Sequence, residues 1–136
     1  SALRVRSETD VGRGLQPFVE STYLHQVVAR EAEGISHFPD LDIALQSAAE
    51  RPADAEWRIH FHVPLFTDRY DNHDSTQDVV KETLQAARLT RFTRHLEIET
   101  YTWGVLPAAL KIDIADSITR EYRWVLETLD AQDRRP

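Results

Sequence analysis

Strands that alternate with helices, and strands that each carry one aliphatic and one ionisable face, predict an α/β fold. The expected form is a partial TIM barrel of three parallel βα units, with residues 1–136 as a single domain. Three segments have strand character: ALRVR (2–6), WRIHFHVPLF (57–66) and HLEIETYTW (95–103). Side chains alternate across a strand, so each segment divides in two. In the first, Leu3 and Val5 oppose Arg4 and Arg6. In the second, Trp57, Ile59, Phe61, Val63 and Leu65 oppose His60 and His62. In the third, Leu96 and Ile98 oppose Glu97, Glu99, Tyr101 and Trp103. An aliphatic face suits covering helices, and an ionisable face suits the interior mouth of a barrel. Three strands do not close such a barrel, which ordinarily takes about 250 residues.

Helical spacing fills the intervals. Residues 19–32 place Tyr23, Leu24, Val27 and Val28 on one stripe, residues 40–50 carry Leu41, Ile43, Ala44 and Leu45, and residues 75–89 open with Ser75 and Asp78 in a capping arrangement. A last helix is expected over about 115–131 on the stripe Ile118, Tyr122, Val125 and Leu129, and Pro107 suits the start of a helical turn. The polar stretch 67–76, with Asp68, Asp71, Asn72, His73 and Asp74, reads as a solvated loop overhanging the site.

Composition narrows the function. The chain has 136 residues, 41% hydrophobic and 29% charged, which fits a folded domain. A net charge of −7 argues against a nucleic-acid partner. There is no cysteine, so disulfides and cysteine–zinc sites are excluded. No apolar run approaches the roughly 20 residues of a membrane span, so direct membrane insertion is not expected. Nothing resembling a signal peptide opens the chain, and the cytoplasm is the expected location. Phosphate-loop and serine-elbow motifs are absent.

On neighbouring strands about 4.8 Å apart, His60, His62, Glu97 and Glu99 would bring two imidazoles and two carboxylates together. Such a set suits a divalent metal (Mn, Zn, Co, Fe or Mg). His62 and Glu99, nearer the strand ends, are the expected ligands and catalytic groups, with His60 and Glu97 as further ligands or as partners that orient them. The alternative is a His–Glu hydrogen-bond network that only fills the barrel. Arg4 and Arg6 could hold a substrate carboxylate or phosphate, or form a salt bridge to Glu97. Tyr101 and Trp103 could stack on a substrate or cap the barrel mouth. His25 reads as a satisfied surface or interface histidine.

The blocks YLHQVV (23–28), WRIHFHVPLF (57–66), STQD (75–78) and HLEIETYTWGVLP (95–107) resemble the EboE-type metabolite-traffic proteins of the xylose-isomerase-like TIM-barrel superfamily. The resemblance covers nearly the whole chain but only the last third of the family, strands six to eight of its barrel. It implies a protein related to sugar (phosphate) isomerases and epimerases, acting on a small-molecule metabolite, with a divalent metal held by a strand-seven His and a strand-eight Glu. The strand-six acid has no counterpart in ALRVR. The rival expectation is therefore a non-catalytic metabolite-binding or scaffold module. A partial barrel would leave Leu3 and Val5 on an exposed edge strand, so a homo-oligomer or a missing N-terminal barrel half is expected as partner.

Overall fold

The structure, a computed structural model, describes residues 1–6, 14–52, 54–70, 73–99 and 112–133. Among them, β1 (Leu3–Arg6), β2 (Val27–Glu31), β3 (Gly34–Phe38), β4 (Glu56–Ile59), β5 (Arg69–Tyr70) and β6 (His73–Ser75) form one sheet in the order β3-β2-β4-β1-β6-β5. Three α-helices accompany it: α1 (Leu41–Gln46), α2 (Gln77–Thr90) and α3 (Ile114–Asp133). Every strand pairing is antiparallel. The chain is therefore not a partial TIM barrel of parallel βα units, and the barrel of the xylose-isomerase-like superfamily is not its fold.

The difference has local causes. Residues 19–32 do not make a helix. The Glu20 carboxylate accepts from the amides of Thr22 and Tyr23 at 2.6 and 2.7 Å, which folds the chain into a turn and uses donors a helix would need elsewhere. Val27 and Ala29 then face the core, and Val28 and Arg30 face away. Gly34 follows the Ala32–Glu33 turn with φ of 146°, a conformation that side chains disfavour, and the chain returns as β3. Residues 67–76, expected as a loop, contain the β5 and β6 strands. Residues 95–99 carry no strand, and the rest of HLEIETYTW and the turn at Pro107 lie outside the described residues. β1 is not an edge. It lies between β4 and β6 with Leu3 and Val5 fully buried, so the physical basis for expecting a partner at that strand is gone.

Other expectations stand. Helices α1, α2 and α3 match the expected segments 40–50, 75–89 and about 115–131, with α2 running one residue past its segment and α3 past both ends. The Asp40 carboxylate caps α1 by accepting from Leu41 at 2.8 Å, and it also takes the His25 amide at 2.9 Å. Four of the five odd-numbered apolar residues of the second segment are in the core: Trp57, Ile59, Phe61 and Val63 pack with Leu3, Val5, Val27, Leu41 and Phe18, while Leu65 is only partly buried and lies on the histidine side. Among the described residues no helix is long and apolar enough to cross a membrane.

Trp57 is 1% exposed and its ring stacks on Phe38 with centroids 6.3 Å apart. Trp57→Ala should lower the unfolding free energy by about 3–5 kcal/mol in a urea titration. Arg4, nearly buried, grips Asp78 at the start of α2 with bonds of 3.0 and 2.7 Å, which ties β1 to α2. That bond holds the Asp78 carboxyl below its ordinary range, against a burial effect that raises it. A depressed acid stabilises the fold above its unfolded pKa and loses that contribution as pH falls. Asp78→Asn should therefore cost about 1 kcal/mol at neutral pH, given that Asp78 itself is exposed, and the gap to the native protein should close in acid.

Candidate functional site

The β4 ladder continues beyond Ile59. The amide of His60 donates to Gln26 O at 2.8 Å on the β2 side, and the amide of Val63 donates to Ser1 O at 3.4 Å on the β1 side. The alternation of burial continues with it. Phe61 and Val63 are buried, while His60 is exposed and His62 half-buried on the opposite side. Pro64 lacks an N–H and ends the ladder. The chain then turns through a bond from the Thr67 amide to Pro64 O at 2.9 Å.

Leu65, at that turn, is held from two helices. The Gln77 side chain of α2 donates to its carbonyl at 2.6 Å, and its amide donates to Glu121 Oε1 of α3 at 2.9 Å. The second bond fixes Glu121 beside His62, with His62 Nε2 3.8 Å from Glu121 Oε1 and side-chain exposures of 11% and 1%. Both groups keep an unused polar atom: His62 Nε2 and Glu121 Oε2 are buried without a hydrogen-bond partner. They line a cavity of about 200 Å³ together with His60, Leu65, Glu97, Ile98 and Glu99.

Burial sets the electrostatics. It lowers the His62 pKa to about 4, so the imidazole is neutral at pH 7. Burial also raises the Glu121 carboxyl above its ordinary range, with the Leu65 N–H and the Ser1 ammonium, which also lines the cavity, pulling the other way. A neutral imidazole with an open lone pair therefore faces a carboxyl that retains its proton above the usual pH. These are the environments of a base and an acid.

The four expected ligands, His60, His62, Glu97 and Glu99, all border this cavity, although not from paired strands. Glu97 and Glu99 reach it from an exposed segment. Among the described residues no three His, Asp or Glu side chains are placed to hold one ion. Arg4 and Arg6 do not border the cavity. Arg4 pairs with Asp78, not Glu97, and Arg6 lies 3.6 Å from Glu56. Tyr101 and Trp103 lie outside the described residues. His25 is buried, not at the surface, and only half satisfied: its Nε2 lies 3.3 Å from Glu20 Oε1 without a hydrogen bond. Its Nδ1 donates to His60 O at 3.1 Å, and its ring lies against Phe61.

No family model, curated protein or solved structure matches the chain.

Glu121 was the residue that sequence reasoning missed. It stands three residues after Ile118 and four before Val125, on the stripe assigned to the core. A carboxylate inside an apolar helical stripe is the signal that could have found it.

The sign of the His62 shift gives a test. Its folded pKa lies below the ordinary 6.5, so between pH 6.5 and 4 the unfolded chain binds more protons and stability falls with falling pH. The raised Glu121 acts oppositely, since its contribution is lost as pH rises above the ordinary 4.5. His62→Gln removes the first slope. Between pH 7 and pH 5 the variant should gain about 2 kcal/mol on the native protein in chemical denaturation.

Proposed function

We propose that this cavity takes a small polar metabolite and moves protons on it, as an isomerase or epimerase does. The observation that carries the reading is the pairing of His62 and Glu121, buried side by side with Nε2 and Oε2 unpartnered at a cavity. A proton next to a carbonyl carbon passes to neutral His62, and the Glu121 carboxyl protonates the carbonyl oxygen. The enediol collapses when His62 gives its proton to the former carbonyl carbon and the Glu121 carboxylate takes the hydroxyl proton of the carbon first deprotonated, which becomes the new carbonyl; return to the opposite face of the original carbon, with Glu121 regaining its proton from the same oxygen, gives the epimer. His60, Glu97 and Glu99 at the rim supply partners for substrate hydroxyls. A cavity of about 200 Å³ suits a small metabolite better than a nucleotide. The resemblance of HFHVP and LEIETYTWGVLP to the EboE-type proteins supports a metabolite substrate. The non-catalytic reading keeps the same cavity as a binding site only.

Deuterium exchange from solvent separates the two. A panel of small ketoses and hydroxyaldehydes, free and phosphorylated, is incubated with the protein in D₂O and followed by NMR. The native protein should exchange the proton beside the carbonyl of at least one member. His62→Gln and Glu121→Gln should each slow that exchange by about 10²–10⁴-fold. A member that binds without exchanging would favour the binding module. Exchange undiminished in both variants would remove the proposed roles.

A further inference from the structure

The even-numbered residues of β4 carry a second feature at the opposite end from His62. Glu56 points away from the core, yet its side chain is only 10% exposed because three guanidinium groups surround it. Arg58 reaches Glu56 Oε1 with Nε and Nη2, both at 3.0 Å. Arg30 of β2 approaches Oε2 at 3.3 Å, and Arg6 of β1 stands 3.6 Å from the same oxygen. The strand register makes this unavoidable, since Arg30 and Arg6 are the cross-strand partners of Glu56 on its two sides. Arg58 in turn lies directly opposite Arg4, whose charge is taken by Asp78.

One carboxylate does not answer three guanidiniums. Among the described residues the cluster carries two surplus positive charges, in a chain whose net charge is −7. The three guanidiniums converge on one carboxylate, so a further anion placed among them would be attracted. Each guanidinium has about five N–H donors, and only a few of them reach Glu56. The side chains of Arg6, Arg30 and Arg58 remain 67%, 63% and 40% exposed, so their other donors are open to solvent. Glu56 holds the three forks in place, and the arginine charges keep its carboxyl below the ordinary range even though burial pushes it up.

We propose that this sheet face binds a compact multivalent anion, one carrying two or more adjacent phosphate groups, between Arg6, Arg30 and Arg58. Guanidinium forks match phosphate oxygens bidentately. A long nucleic acid is a poor fit, because the overall charge repels it.

The test is calorimetric titration of the native protein with inorganic pyrophosphate, with citrate as a polycarboxylate comparison. Pyrophosphate should bind at low salt and weaken steeply as salt is added. Arg30→Gln and Arg58→Gln, both at solvent-open side chains, should each weaken it about tenfold. His62→Gln should leave it unchanged, which separates this site from the cavity. Preference for pyrophosphate over citrate supports phosphate recognition. Equal or stronger binding of citrate overturns the assignment to phosphate. No binding, or native affinity in both arginine variants, overturns the site itself.

Discussion

The interior position of β4 and its continuation to Val63 is the constraint on which the rest depends. Flanked by β2 on one side and β1 on the other, this segment has no freedom to slip, because a shift of one residue would turn Trp57, Ile59, Phe61 and Val63 outward. Burial of that row fixes the opposite row. Glu56, Arg58, His60 and His62 must then share the other side, in that order along the chain. The charged cluster and the imidazoles are consequences of one hydrophobic alternation.

The two ends of the row differ in what meets them. At Glu56 the neighbours are strands, whose outward residues at that register are Arg6 and Arg30, and the surroundings stay open to water. At His62 the neighbour is a helix. Glu121 of α3 enters with its carboxylate tied to the Leu65 amide, and water is largely excluded. Identical alternation therefore yields an ionised carboxylate among arginines at one end and a neutral imidazole beside a raised carboxyl at the other. Solvent access decides which.

Much of this was legible in the sequence. The aliphatic rows of 2–6 and 57–63 needed only alternation, and the three helices needed only spacing; the cap expected at Ser75 is not the one found, since Ser75 ends β6 and Thr76 precedes α2. The meeting of His60 and His62 with Glu97 and Glu99 was expected, although the expected route through paired strands is absent. The direction of the strands was not legible. Tyr23, Leu24, Val27 and Val28 satisfy a helical stripe as well as a strand, and the decisive Glu20 turn is a side-chain to backbone bond that spacing does not reveal. Once 19–32 is read as a helix, parallel crossovers follow and the barrel with them. The turn at Ala32–Glu33 lacks the Asn-Gly type of hairpin signal, leaving Gly34 as the sole hint. The Arg6–Arg30–Arg58 cluster was hidden for the same reason, since it exists only when β1, β2 and β4 are antiparallel neighbours.

The account turns on the state of His62. An NMR titration that follows its ring carbons from pH 8 to pH 3 reads that state directly. The account predicts a midpoint near 4, with the neutral imidazole persisting through the physiological range. A midpoint at or above 6.5 would place His62 in water or in a salt bridge with an ionised Glu121, and would contradict the acid–base pair at the cavity.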